Sequence, residues 1–168
     1  MKYFFALMLI LTLVGCSSNS SQDTPQDFSQ LSWEEIKTQA QGTTVNLMMW
    51  QGDPFINDYI QSFVVPNVKE KYGIDLKVAN GQGSQIVNIL LAELEAGKSD
   101  SELDMMWING ETFFQLSQIK ALYGPFTGYL PNAQYINFEN PFIKYDFQQE
   151  VNGFECPWGT VQQALIYD

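Results

Sequence analysis

The stretch Thr44-Val45-Asn46-Leu47-Met48-Met49-Trp50-Gln51-Gly52-Asp53-Pro54 decides the fold. Its first seven residues are mostly apolar and read as a mostly buried strand. Gln51-Gly52 turns the chain, and Asp53 then offers a side-chain acceptor to the free N–H groups of a helix start. Pro54 stands at the first helical position, where no N–H is needed and a fixed φ suits the helix. Ile56, Tyr59, Ile60, Phe63 and Val64 follow at the spacing of one helical face. A strand that runs directly into a helix opens an α/β arrangement.

The flanks continue the alternation. Upstream, Ser32-Trp33-Glu34-Glu35 has the form of a capping box and predicts a short helix towards Gln41, ended by Gly42. Downstream, Pro66 is expected to kink or break the helix, a further turn runs from Asn67 to Tyr72, and Gly73 is its C-terminal cap. Ile74 to Ala79 alternates as a second strand, Asn80 to Ser84 turns, and Ile86, Val87, Leu90, Leu91 and Leu94 form the stripe of a helix stopped by Gly97. The loop Lys98 to Glu102 leads to a third strand, Leu103 to Ile108, and Asn109-Gly110-Glu111 turns into a helix ending near Ala121. Three strand–helix pairs in succession predict a mainly parallel sheet with right-handed crossovers, flanked by helices. Beyond Tyr123 the sequence is aromatic and rich in Pro and Asn without a clear period. Phe154 to Thr160 reads as a turn between short extended segments, and Gln162 to Tyr167 as a strand. The chain stops at Asp168 directly after this apolar run, so we expect an interrupted protein.

At 168 residues, 45% hydrophobic and 14% aromatic, the chain holds one domain's worth of packed core. Eight basic residues, all Lys, face 19 acidic ones, for a net charge of −11. Such a field disfavours nucleic acid as a partner and attracts cations weakly at physiological salt. With no His, Ser-His-Asp and Cys-His catalysis and His-ligated metal sites are excluded within this chain. With no Arg, so is bidentate clamping of carboxylate or phosphate. Cys156, beside Pro157, has no base in view to activate it and reads as a packing residue. No metal-ligand spacing and no cofactor motif is present; Gly81-Gln82-Gly83 begins like a dinucleotide fingerprint, but Ile86 stands where the third Gly is required.

The N-terminus supplies an address. Lys2 precedes an apolar run from Tyr3 to Val14, too short for a membrane-spanning helix, which reads as an export signal. It closes on Leu13-Val14-Gly15-Cys16, which resembles the lipobox of bacterial lipoproteins, where the signal is cut before a Cys that is then lipidated. Residues 1–15 are thus expected to be a signal peptide, and residues 16–30, polar and Ser-rich, a lipidated Cys16 and flexible tether. Acyl chains on one Cys hold a protein to a membrane by about 0.8 kcal/mol per buried methylene. Residues 31–168 form the α/β part.

In open parallel sheets ligands bind beyond the carboxyl ends of the strands. The candidate ligand-binding residues there are Trp50, Gln51 and Asp53 after the first strand, Gln82 and Ser84 after the second, and Asn109 and Glu111 after the third; Trp158 is a fourth contribution. Gly in these turns brings backbone N–H groups close, amides and carboxylates fix polar groups, and the two Trp faces suit an apolar or cationic group. Trp50 reads equally well as core, and Asp53 and Glu111 as helix-start residues that need no ligand.

The order of motifs is similar to that of the extracellular solute-binding proteins of ABC importers. The likeness is carried by the lipobox and tether, by Val45 to Trp50, by Asn67-Val68-Lys69-Glu70-Lys71-Tyr72-Gly73-Ile74-Asp75-Leu76, by Gly83-Ser84, Leu91-Ala92-Glu93-Leu94 and Leu103 to Trp107, and by Pro157-Trp158-Gly159-Thr160 before Ile166-Tyr167. Within these proteins it resembles the polyamine, thiamine and iron cluster and, in particular, the YnjB-type branch. The resemblance implies a type II periplasmic-binding-protein-like fold, of which this chain is the first lobe, interrupted before the second. It also implies a two-lobed receptor, monomeric when complete, that closes on a small-molecule solute and delivers it to a permease and ATPase, facing the periplasm or cell exterior. No covalent chemistry is expected. The carboxylates, the aromatics and the missing Arg favour a cationic, polyamine- or thiamine-like solute. A surface-anchored structural or adhesive lipoprotein, with the aromatic Phe142 to Phe154 region as contact surface, is the alternative.

Overall fold

The structure, a computed structural model, describes residues 27–159. The predicted signal peptide, Cys16, the tether up to residue 26 and the predicted strand Gln162 to Tyr167 lie outside the described residues. The first regular element after a short 3-10 turn is helix α1, Trp33–Ala40. Its capping box is complete: the Ser32 hydroxyl accepts from the Glu35 N–H, and the Glu35 carboxylate accepts from the Ser32 N–H at 2.8 Å. Gly42, at φ +80°, then lets the chain turn into strand β1, Thr44–Met49.

β1 is the centre of the sheet. It pairs in parallel with β2, Asp75–Asn80, along its whole length and with β3, Met105–Met106, at Leu47 and Met48. The strand order is β2-β1-β3. Because alternate residues of a strand point to opposite faces, β1 supplies both layers of core. Met48 packs with Ile86, Leu90 and Leu116 on one face, while Leu47 and Met49 pack with Ile60 on the other, backed by Leu76, Val78 and Trp107. Helices α4, Gly83–Glu95, and α5, Gly110–Gln118, cover the first face. A long helix after β1 covers the second. The parallel sheet flanked by helices is the arrangement expected of the sequence.

Pro66 does not break the helix after β1. That helix begins as α2, Pro54–Tyr59, passes through a single π-wound turn, Ile60–Val64, and resumes as α3, Val65–Tyr72. The Val65 N–H bonds to the Ile60 carbonyl, five residues back. A proline ring meets the carbonyl four residues before it, here that of Ser62 inside the π-turn, where the backbone is already widened. The proline also enters α3 in its first turn, the position that tolerates it. Gly73, left-handed at φ +70°, caps the end as predicted.

The third strand is shorter than expected: only Met105 and Met106 form ladder pairs. The flanking backbone still bonds to β1, through Asp104 N–H to Asn46 carbonyl at 3.1 Å and Trp107 N–H to Met48 carbonyl at 2.9 Å. The Asp104 carboxylate bonds to the Asn46 backbone N–H at 2.8 Å and to its side-chain amide at 3.0 Å, replacing regular pairing with a side-chain clasp. After α5 the chain makes 3-10 turns at Thr127–Tyr129 and Pro131–Tyr135, a short helix α6, Pro141–Lys144, and a hairpin of β4, Tyr145–Asp146, and β5, Gln149–Glu150. The region read as aperiodic is therefore locally ordered. Among the described residues no helix is long and apolar enough to cross a membrane.

Candidate functional site

All three strands of the sheet are parallel, so their carboxyl ends lie on one edge, and the turns after them define the candidate site. At the end of β1, Trp50 is 53% exposed and its ring lies over Gly52, where any Cβ would overlap the indole. Gln51 is tied to its neighbours through the backbone: its N–H bonds to the Asn80 side chain at 3.2 Å, and its carbonyl accepts from the Asn57 side chain at 2.9 Å. The Asn57 side-chain oxygen is buried without a hydrogen-bond partner. Asp53 caps α2, accepting from the N–H groups of Phe55 at 2.8 Å and Ile56 at 3.1 Å.

At the end of β2 the Gly81 N–H bonds to the Met49 carbonyl at 3.0 Å, extending the ladder by one residue. Gln82 and Ser84 are exposed at the start of α4, and no side chain caps that helix. Its first N–H groups are therefore open to an acceptor. At the end of β3, Asn109 caps α5 by accepting from the Thr112 N–H at 3.2 Å and hydroxyl at 2.9 Å, and Glu111 is exposed in the first turn. The starts of α4 and α5 touch, since a Cβ on Gly83 would overlap the buried Thr112 hydroxyl.

Trp158 joins a different set of residues from those expected. Its ring lies against Trp107, with centroids 4.7 Å apart, and edge-on to Tyr59 at 6.4 Å. Tyr59 also stacks on Phe63 at 5.4 Å. The helical spacing assigned Tyr59 to the buried face, yet it is 45% exposed and Phe63 is 53% exposed. Trp107, which sequence reasoning placed inside a strand, is the platform for Trp158 at the carboxyl end of β3.

Sequence reasoning also missed Asp146 and Glu155. A Cβ on Gly110 would overlap the Asp146 carboxylate, so β4 is seated on the first residue of α5. Burial pushes the Glu155 carboxyl up to about 7, helped by the charge of Asp146 and a hydrogen bond with it. One Glu155 oxygen, Oε2, is buried without a hydrogen-bond partner. Burial and the neighbouring Glu155 also raise the thiol of exposed Cys156, the opposite of what an activated nucleophile needs. No group of three or more His, Cys, Asp or Glu able to hold a metal occurs among the described residues. Two shallow depressions lie away from the strand ends, one of about 460 Å³ along α3 and the outer edge of β2, the other along the loop Ala96 to Glu102. Neither contains a candidate residue.

The fold and this edge define an α/β domain with a parallel three-stranded sheet, built to present loop and helix-start groups at the carboxyl ends of its strands. The chain is similar to Protein YnjB of Escherichia coli (strain K12), 35% identical over 136 residues, which is 80% of this chain and 34% of YnjB. It thus spans about a third of that relative's length. No family model matches the chain, and no solved structure is a significant match.

Proposed function

We propose that this chain is the first lobe of a solute-binding lipoprotein that serves an ABC importer, held to a membrane through Cys16 and facing the periplasm or cell exterior. The observation that carries the proposal is the convergence of three strand ends and the starts of α2, α4 and α5 on one edge. The motif order and lipobox-like start described above support the same reading. Trp50, Gln51, Asp53, Gln82, Ser84, Asn109 and Glu111 line this wall, and Trp158 extends it through Trp107 and Tyr59. Its chemistry is capture without covalent change: aromatic faces and carboxylates for a cationic part of the solute, open N–H groups at α4 for an acceptor on it. The second wall, the permease and the ATPase belong to the longer protein and its partners.

Calorimetry on the full-length protein with a panel of polyamines, thiamine, sugars and oxyanions tests the proposal. Binding of a cationic amine is the expected result; binding of an oxyanion alone would overturn the choice of solute, and no binding across the panel would remove the support for capture. Labelling of the protein with a fatty acid in cells, abolished by Cys16→Ala, tests the anchor.

A surface-anchored structural or adhesive lipoprotein is the second reading. It is favoured by the exposed aromatics Tyr135, Phe142 and Phe147, which are 80%, 86% and 61% exposed. Ligand-independent retention of one defined envelope protein, lost on Phe142→Ser, would favour it over transport.

A further inference from the structure

The loop from Trp50 to Asp53 is held from three elements. The Gln51 N–H donates to the Asn80 side chain at the end of β2, at 3.2 Å, and the Gln51 carbonyl accepts from the Asn57 side chain on α2, at 2.9 Å. Asp53 accepts from the Phe55 and Ile56 N–H groups at 2.8 and 3.1 Å. At the other end the loop leaves β1 through Met49, which is fully buried.

Within this held loop Gly52 meets the Trp50 ring. The atoms nearest to where a Cβ on Gly52 would stand are Cζ2, Cε2 and Nε1, the N–H edge of the indole, and all lie closer than a Cβ can come. The described glycines at positive φ are Gly42, Gly73, Gly97, Gly124 and Gly153, and Gly52 is not among them. Its backbone would therefore accept an L side chain; what excludes one is the ring. Held by that edge, Trp50 is still 53% exposed. A side chain both located and exposed, at the carboxyl end of the central strand, is a surface for contact rather than for packing. The aromatic contacts at this edge run from Trp107 through Trp158 and Tyr59 to Phe63 and do not include Trp50. A tetrahedral ammonium is held best by several rings around it, whereas a planar, delocalised group stacks on a single one.

We propose that Gly52 is the positioning residue for Trp50: by lacking a side chain it seats the indole in one pose, as a platform on which a planar group of the solute stacks. This rests on the capture reading above and narrows it, from any cationic solute to one with a flat, delocalised part. The pose is set before the solute arrives, so binding does not have to fix the torsions of the ring. A methyl group at position 52 displaces the indole. Because the loop backbone is held, the ring takes up the change by swinging to another rotamer, at small cost to the fold. Gly52 therefore acts on binding through Trp50 alone.

Near-UV circular dichroism of the ligand-free, full-length protein reads the seat. The band that Trp50→Phe removes is expected to change in Gly52→Ala, with the urea midpoint unmoved. Calorimetry with thiamine, whose rings are flat, and with spermidine, an open-chain ammonium, reads the platform. Gly52→Ala and Trp50→Ala are each expected to weaken thiamine about three- to tenfold, as loss of one stacked contact does, and to leave spermidine within about twofold. In a Trp50→Ala background Gly52→Ala is expected to add nothing. An unchanged indole band in Gly52→Ala overturns the seat, whatever binds. A changed band with unaltered thiamine affinity, equal losses for both probes, or a Gly52→Ala loss that persists without Trp50 overturns the platform and leaves solute capture standing. Binding of spermidine, a sugar or an oxyanion without thiamine overturns the planar solute. Failure of all of them to bind the wild-type protein removes capture itself, and the platform with it.

Discussion

At the scale of single residues, the candidate side chains divide into those with a structural bond and those without. Asp53 is engaged twice as the cap of α2, whereas Trp50 is half-exposed and lies over Gly52. Asp53→Ala is therefore expected to cost about 1 kcal/mol of stability through the lost cap. Asp53→Asn keeps the cap but not the charge, and is expected to weaken binding of a cationic solute at nearly unchanged stability. Parallel denaturation and calorimetry on both variants separate the two roles. Glu155 gives a second residue-scale prediction. Its carboxyl is raised in the folded state, so between its unfolded value and about pH 7 the folded chain holds the extra proton and stability falls as pH rises. Glu155→Gln is expected to gain about 1–2 kcal/mol above pH 7, discounted for its partial solvent contact, and nothing at acidic pH. Urea midpoints on the two sides of neutrality would show this, and equal effects at both pH values would contradict it. Caps such as Ser32 and Asp53 were legible in the sequence because the residue and its partners are at most three positions apart. Trp107 with Trp158, and Asp146 with Glu155, were not, since only the folded chain brings them together.

At the scale of elements, what the sequence concealed was pairing rather than periodicity. The helices stand where their apolar stripes predict, although Tyr59, Phe63, Leu91 and Leu94 of those stripes are exposed, and β3 shrinks to two ladder residues because the Asp104 carboxylate takes the Asn46 N–H. The β4–β5 hairpin carries Phe147-Gln148 where an Asn-Gly pair would have announced it. Helices α4 and α5 meet through Gly83, so Gly83→Ala is expected to destabilise by about 1–3 kcal/mol, as overpacking does. A Gly83→Ala/Thr112→Ala double variant, which removes the hydroxyl in the way, is expected to recover part of the loss in the same denaturation assay. Glu93, buried near the end of α4, holds the loop that leads to β3. It accepts from the Ser101 hydroxyl at 2.6 Å, from the Glu102 N–H at 3.2 Å and from Lys98 at 3.4 Å. Those bonds, the Ser101 one first, lower its carboxyl in the folded state. Its contribution is therefore present above the unfolded carboxylate range and lost as pH falls through the folded value. Glu93→Gln is expected to flatten the acid side of the stability curve, and an unchanged acid limb would refute this role.

At the scale of the molecule, the net charge of −11 and the carboxylates of the candidate edge predict that affinity for a cationic solute falls as salt rises. Titration of the full-length protein in low and high salt would show it, and an affinity that does not change with salt would contradict it. The α/β arrangement was readable from the alternation of strand and helix patterns, while the site on it was readable only as an edge. The turns say which residues reach that edge; their partners across the sheet come from the fold. The π-wound turn at Ile60–Val64 has a consequence for that edge. An α-helix advances about 100° per residue, so one residue more or less in this turn changes the rotational phase between the two halves of the helix by that amount. Phe55 and Tyr59 stand on the half before the turn, and the residues that pack beside β2 stand on the half after it. The turn therefore acts as an angular offset, aiming the Tyr59 ring at Trp158 independently of how α3 is seated on the sheet. A one-residue insertion or deletion there would re-aim the aromatic wall while leaving both halves helical, a route by which a scaffold of this kind could change what it holds.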